Sequence, residues 1–406
     1  MSSLLSALKK KKTPEQLVRA ACAAMAEGNA ASLSKRLVAM KEVLYGEEDK
    51  EPVEAKCKEL SAALRGAGLM PQLIEAMPVL PFEARKDVAQ VFNNLVRKNH
   101  EGFADYVAEN PTMVKDLILA YGNPDIAILC GSMLRECIRY ESLARATLAD
   151  DMLWLFFDSY VHLPNFDVAS DAFATLRDLL TRNKAAASEF LSERFDTVFS
   201  KYTILLDSEN YVTRRQSLKL LGELLLDRSN FAVMMRYICN RDNLKKMMML
   251  LRDKSPNIQY EAFHVFKVFV ANPKKPPEIT RILVANRAKL ITYLENFHND
   301  KDDEQFRDEK ALLITTLEAL EEPPPSESNP GSRRVSQDVA GMLARAREGS
   351  TGEPRGGTNS MQGSQEKRAM AADAQAVADV LGAVGGEGGA AAAAPPAAPA
   401  PAAGVH

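Results

Sequence analysis

Cysteine, histidine and clustered carboxylates are the side chains of this chain that could bind a metal or catalyse a reaction. The five cysteines lack the C-x-x-C spacing of zinc or redox motifs: Cys22, Cys57, Cys130, Cys137 and Cys239. The five histidines also lack metal-site spacing: His100, His162, His264, His298 and His406. The sequence contains no phosphate-binding loop, zinc-protease motif or nucleophile elbow. We therefore predict no catalytic centre, no metal, no cofactor and no enzyme activity.

The acidic segment "HNDKDDEQFRDE", residues 298–309, is the strongest candidate for a calcium site. It lacks the glycine and the regular oxygen spacing of a calcium-binding loop. The solvated start of a helix is the better interpretation. His264 lies inside an apolar helical pattern, which favours a packing role over a metal-binding one.

Charged residues that could bind a partner recur in the Leu-rich stretch from residue 211 to 227. Arg215, Lys219 and Glu223 are spaced i, i+4 and i+8, so they share one face of a helix. The leucines between them occupy the other faces and are predicted to be buried. The charged stripe must then face solvent, where it can contact another protein.

A repeat of 42 to 47 residues explains why this helix is apolar on several sides. Similar segments begin at 82, 124, 166, 211 and 258, and each has small residues followed by apolar residues on a 3.6-residue period. Helical repeats of this length are typical of armadillo and HEAT arrays, in which each unit packs between its neighbours. Strand patterns are absent. We predict an all-α, right-handed armadillo/HEAT-like helical-repeat solenoid with a disordered C-terminal tail.

The domain boundaries follow from composition. Residues 1–12 form a basic lead, and "TPEQL" from Thr13 has the N-cap and Pro of a helix start. Residues 13–322 form the repeat domain. Residues 323–406 lack aromatic residues and are rich in Pro, Gly and Ala, which predicts a disordered tail. Within the tail, "DVAGMLARARE" and "AADAQAVADVL" have helical spacing, and "RRVS" makes Ser336 a candidate phosphorylation site, with solvated charge as the alternative.

Charge and hydropathy limit the classes of partner. The net charge is −3, which does not favour nucleic acid, and no stretch of about 18 apolar residues predicts a membrane span. The unpaired cysteines and the lack of a signal peptide favour the cytoplasm. We expect a chain that is monomeric by itself.

Long motifs resemble one family. "LVAMKEVLYG", "RKDVAQVFNN", "MLRECIR", "SDAFAT", "YVTRRQSLKLLGELLLDR" and "NIQYEAFHVFKVFVANP" are similar to segments of the Mo-twenty-five family, also called calcium-binding protein 39. The resemblance extends from about residue 13 to 320. It implies a non-catalytic armadillo-like scaffold that binds sterile-twenty-type kinases or pseudokinases on its concave face and stabilises their active conformation. A further kinase can join such a pair in a ternary complex.

The resemblance also implies site residues. Phe166, Tyr211, Arg215 and Lys219 correspond to the concave-face contacts, and Arg228, Lys245 and Met248 to a pocket for a Trp-Glu-Phe peptide. One departure is Ala285, which stands where the family has a pocket lysine. Reasoning from the residues alone leaves an alternative open, a general helical-repeat adaptor for peptides or proteins that does not activate kinases.

Overall fold

The computed structural model describes residues 12–46 and 50–323, and these ranges are helical, with no β-strand. The predicted all-α class is therefore confirmed. Nineteen α-helices lie in the described ranges: α1 Pro14–Ala26, α2 Ala30–Tyr45, α3 Glu54–Ala67, α4 Leu69–Ala76, α5 Phe82–Lys98, α6 Phe103–Glu109, α7 Pro111–Leu119, α8 Ala127–Cys137, α9 Glu141–Ala149, α10 Trp154–Asp158, α11 Phe166–Thr181, α12 Lys184–Glu193, α13 Phe195–Leu206, α14 Tyr211–Leu226, α15 Phe231–Ile238, α16 Arg241–Leu250, α17 Pro256–Ala271, α18 Pro277–Glu295 and α19 Glu304–Glu318.

Capping residues set where several of these helices begin. Thr13 and Gln16 form a reciprocal capping box at α1, with Pro14 in the first helical position, as the sequence predicts. The repeat segment that starts at residue 124 becomes helical only at Ala127. The side chain of Asn123 accepts a hydrogen bond from the Asp125 amide at 3.0 Å, and this local turn delays the helix.

Two compact units make up the fold. Among the described residues, the first comprises 12–46, 50–235 and 257–262, and the second comprises 236–256 and 263–323. In the first unit, α2, α5, α8, α11 and α14 pack side by side in chain order. We call these five helices the row helices. Four of them correspond to the predicted repeat segments that begin at 82, 124, 166 and 211, and α2 precedes these four. The fifth predicted segment, from residue 258, lies in α17, whose residues are divided between the two units.

Ion pairs connect each row helix to the next, and each has its cation on the earlier helix. The five pairs are Lys41–Asp87, Arg97–Glu136, Arg135–Asp171, Arg177–Glu223 and Arg215–Glu261. The last of them reaches residues 257–262 at the start of α17. Because the partners lie about one repeat apart in sequence, these pairs are a feature that recurs from one repeat to the next.

The pair between α8 and α11 belongs to a largely buried network. Arg135 binds both carboxylate oxygens of Asp171, at 2.7 and 2.8 Å, and the Tyr121 hydroxyl donates to the same carboxylate at 2.7 Å. Thr175 lies 2.7 Å from both Tyr121 and Arg135. Burial, followed by the charge of Asp171, raises the pKa of Tyr121 well above its usual value. Gly131 provides the space that this network occupies.

The second unit packs its own core around aromatic side chains. The Phe263 ring lies 4.9 Å from Phe306 and 5.7 Å from Phe297, measured between centroids. Beside this core, Lys267 and Glu309 form a 2.6 Å ion pair, and both side chains are more than nine-tenths buried. Asp303 caps α19, so the acidic segment is a helix start as predicted. Its last residue, Glu309, is however not solvated, because it neutralises a buried lysine.

His264 lies beside the Lys267–Glu309 pair in the second unit. Its Nδ1 is 3.7 Å from Oε2 of Glu309. Burial, followed by the positive charge of Lys267, lowers the pKa of His264 to about 4. The imidazole is therefore neutral at physiological pH and packs, partly buried, at the edge of the core, in agreement with the packing role predicted from the sequence.

Two glycine-to-alanine substitutions should change stability in opposite directions. A Cβ on Gly131 would lie 2.1 Å from Asp171 Oδ2 and 2.3 Å from the Tyr121 hydroxyl. We expect Gly131→Ala to lower the free energy of unfolding by about 1–3 kcal/mol, because the network must be displaced. Gly66 is also helical, but a Cβ there meets nothing within 4 Å. Gly66→Ala should stabilise by about 0.5–1 kcal/mol. Urea unfolding of both variants measures the contrast, and equal effects would contradict the geometry.

His264 should make stability dependent on pH. An unfolded chain binds a proton on this imidazole near pH 6.5, whereas the folded chain does so near pH 4. Stability is thus lost as the pH falls from about 6.5 towards 4. We expect His264→Gln to reduce this loss by on the order of 2 kcal/mol, measured by urea unfolding at pH 7 and pH 4.5. The same pH dependence in both proteins would refute the assignment.

Candidate functional site

The candidate site is the exposed surface of α11 and α14, and the two helices begin in the same way. Asn165 accepts hydrogen bonds from the amides of residues 167 and 168, and Asn210 does so from the amides of residues 212 and 213. The next residue in each helix is aromatic, Phe166 or Tyr211. These rings lie at the first helical position, outside the packed turns, and are 59% and 39% exposed. An Asn-aromatic pair repeated 45 residues apart therefore presents two rings to solvent.

Residues at the start of α17 position Tyr211 and Arg215. Asn257 donates from its Nδ2 to the Tyr211 hydroxyl at 3.0 Å. A guanidinium nitrogen of Arg215 lies 3.7 Å from Oε1 of Glu261. The Arg215 side chain is 42% exposed, and its Nε is buried and donates no hydrogen bond. Both side chains are accessible yet supported from one side.

The remaining stripe residues differ in charge compensation. Glu223 accepts two hydrogen bonds from Arg177, at 3.0 and 3.1 Å, so its charge is neutralised across the repeat. Lys219 is exposed, and among the described residues its ammonium group has no hydrogen-bond or ion-pair partner. Arg215 is only loosely paired. The stripe thus carries net positive charge between Tyr211 and Glu223, which favours a carboxylate on the partner.

A groove of about 240 Å³ lies between α11 and α14. Its lining is more apolar than polar and includes the exposed ring of Phe166. The lining residues are Phe166, Ala169, Ser170, Phe173, Ala174, Arg177, Asp178, Asn210, Val212, Thr213 and Gln216. A groove with this composition can accept an apolar side chain, and the charged stripe adds directional contacts.

The peptide-pocket residues implied by the resemblance belong to different units. Arg228 is exposed in a 3₁₀ turn of the first unit. In the second unit, Lys245 lies 3.4 Å from a carboxylate oxygen of Asp242, and Met248 is half-buried. Its neighbour Met247 is fully buried and its neighbour Met249 is exposed, so only part of this run of three methionines belongs to the core. Their joint role as a pocket stays a prediction.

The position of Ala285 is exposed on α18. Of the two nearby cations, Arg287 donates to the carbonyl oxygen of Leu320 at 2.8 Å, which ties it to the packing of the second unit. Lys289 is exposed. Lys289 is therefore the better candidate to replace the missing lysine.

Other sequence candidates carry no site in the described ranges. Within residues 12–46 and 50–323, no group of three or more His, Cys, Asp or Glu side chains is arranged to hold a metal ion. None of the helices in this part of the chain is both long and apolar enough to span a bilayer. Ser336 lies outside the described residues.

Sequence reasoning did not identify Asn257, Glu261 and Arg177 as supports of the site. The repeat spacing could have identified them, because each of these three residues lies 46 positions from the residue that it contacts, within the range of 42 to 47. Pairing opposite charges one repeat apart would have found the supports of Arg215 and Glu223.

Comparisons with known proteins agree with this architecture. The family model described as Mo25-like matches residues 5–321. Calcium-binding protein 39-like from Homo sapiens is 50% identical over 297 residues, which is 72% of this chain and 88% of the relative. MO25-like protein 2 from Caenorhabditis elegans is 50% identical over 291 residues, covering 71% and 86%. Mo25-like protein from Schizosaccharomyces pombe is 46% identical over 292 residues, covering 71% and 88%.

Proposed function

This chain belongs to the Mo25-like family, and we propose that it is a non-catalytic scaffold for protein kinases. It binds the kinase or pseudokinase domain of a sterile-twenty-type protein and stabilises its active conformation. A further kinase can join this pair in a ternary complex. Neither metal nor cofactor takes part in this function.

The observation that carries the proposal is the supported, exposed surface of α11 and α14. Aromatic and Arg side chains contribute most of the binding energy in many interfaces, and Phe166, Tyr211 and Arg215 are of these types. Because Asn257 and Glu261 already restrain two of them, less conformational entropy is lost on binding. Such a surface suits a preformed globular domain better than a mobile chain.

Activation needs no chemistry in the scaffold. A kinase exchanges between inactive and active conformations, and a binder that prefers the active one shifts that equilibrium by its difference in affinity. A preference of about 100-fold corresponds to about 2.7 kcal/mol, which two or three strong interface contacts can provide. The aromatic and cationic side chains of this surface are sufficient for that task.

A second candidate function is a general adaptor that binds peptides or proteins without activating a kinase. The groove between α11 and α14 favours it, because a groove of this volume with a mostly apolar lining can bind a short segment from many partners. The two functions differ in one measurement. An adaptor recovers the partner and leaves its turnover unchanged, whereas an activating scaffold raises turnover.

Arg215→Ala should separate binding from folding. We expect the immobilised full-length variant to recover at least tenfold less kinase activity from a lysate of the source cells, because Arg215 is an exposed interface cation. Its thermal midpoint should change by no more than a few degrees, since its partly exposed pair with Glu261 contributes little to stability. Arg145→Ala is the matched control, because Arg145 is also exposed and forms ion pairs, on α9.

Recovered kinase with unchanged turnover in the presence of the wild-type chain would favour the general adaptor. Full recovery by Arg215→Ala would remove α14 from the interface. Unfolding of the variant would instead assign Arg215 a structural role.

Lys219→Glu tests the unpaired positive charge. We expect the amount of kinase recovered to fall about tenfold at low ionic strength. The loss should be smaller at 0.5 M salt, because dissolved ions screen the interaction between exposed charges. Lys184→Glu, at an exposed lysine on α12 that pairs with Asp227, is the control and should recover the wild-type amount. Equal losses for the two variants would mean that net charge alone, rather than Lys219, governs binding.

A further inference from the structure

The outer face of α19 is a helix surface that no other described residue covers. One side of α19 packs against α18 and buries Phe306, Leu313 and Leu317. The opposite side is exposed, with Leu312 39% accessible. We call it the α19 outer face, defined by Glu304, Asp308, Ala311, Leu312 and Thr315, all of which are exposed.

The two carboxylates of this face have no ion-pair partner among the described residues, and the neighbouring Arg307 pairs instead with Asp302 at 3.6 Å. Glu304 and Asp308 are four residues apart on one side of the helix, a like-charge arrangement that opposes helix formation. Within the described residues, neither carboxylate takes part in a hydrogen bond or an ion pair. The acidic residues of the earlier repeats differ, since Glu136, Glu223 and Glu261 each pair with an arginine. The face therefore combines two unpaired negative charges with an exposed leucine.

A segment of the same chain has the complementary composition. Residues 338–348, "DVAGMLARARE", carry apolar side chains at Val339, Met342 and Leu343, spaced i, i+3 and i+4. Arg345 and Arg347 flank this apolar stripe, whereas Asp338 and Glu348 stand at the two ends of the segment, so its positive charge is confined to residues 345–347. A helix formed by the segment could cover Leu312 and bring its arginines to the carboxylates. It lies outside the described residues, so its complementarity is read from the sequence.

The chain between the two elements is long enough to join them. Nineteen residues, 319–337, separate the end of α19 from this segment. A random-coil chain of 19 residues has a root-mean-square span of roughly 25 Å, and α19, with 15 residues, is about 22 Å long. An effective concentration in the millimolar range follows from such a linker. Even weak complementarity would then be sufficient for docking within one molecule.

We propose that residues 338–348 dock as a helix on the α19 outer face of the same chain. Leu343 and Met342 cover Leu312, and Arg345 and Arg347 pair with Glu304 and Asp308. This contact covers the last described helix of the second unit and does not depend on the proposed kinase scaffold function.

Hydrogen exchange of the full-length chain, followed by mass spectrometry, tests the docking. We expect amides of 338–348 to exchange about tenfold more slowly than those of the free peptide with the same sequence. The double variant Glu304→Lys/Asp308→Lys should abolish this protection while residues 309–318 of α19 stay protected. Leu343→Asp should abolish it as well. Glu278→Lys, at an exposed position on α18, is the control and should leave it intact.

Charge reversal on both sides gives the strictest test. Combining Glu304→Lys/Asp308→Lys with Arg345→Glu/Arg347→Glu should restore most of the protection. Free-peptide exchange rates in the wild-type chain would overturn the proposal. So would protection that survives Glu304→Lys/Asp308→Lys, because the segment would then bind elsewhere. Protection that disappears on dilution to nanomolar concentration would assign the contact to a second copy of the chain and equally overturn docking within one molecule.

Discussion

The contact between successive row helices is the constraint on which the candidate site depends. Each row helix buries apolar side chains against its neighbours, and its polar edge is tied to the next helix by an ion pair. A long cation such as Arg215 would otherwise sample many rotamers, and ordering it on binding would cost about 2 kcal/mol of entropy. Glu261 removes part of that cost before any partner arrives.

The same contact explains which charges remain available. Arg177 and Glu223 satisfy each other across α11 and α14, so that part of the stripe is neutral. Lys219 lies between this pair and Arg215 and has no partner among the described residues. The surface is thus not simply basic. Its unpaired Lys219 lies on the same helix as the exposed ring of Tyr211, a pattern that can select a partner as well as attract one.

The helical class, the repeat period and the exposure of Arg215 could be predicted from the sequence, because they follow from apolar periodicity and from the i, i+4 spacing of the charged residues. Phe166 and Tyr211 were implied only by the family resemblance. The pairing of charges between repeats is set by the distance between helices and by side-chain rotamers, neither of which a single helix pattern contains. For the same reason, the acidic segment 298–309 looked fully solvated although Glu309 is buried beside Lys267. Local composition records the charge of a residue but not the element that packs over it.

The buried ionic contacts of α19 have a different role from the ion pairs between row helices. Within the described second unit, α19 buries one side, through Phe306, Leu313 and Leu317, and leaves the opposite side exposed. The Lys267–Glu309 pair and the bond from Lys310 to the Phe297 carbonyl, at 2.9 Å, are satisfied in one register alone. Removing either partner would leave a charge or a carbonyl unpaired in the interior. A buried ion pair adds little net stability over an apolar one, but here it specifies where the last described helix lies.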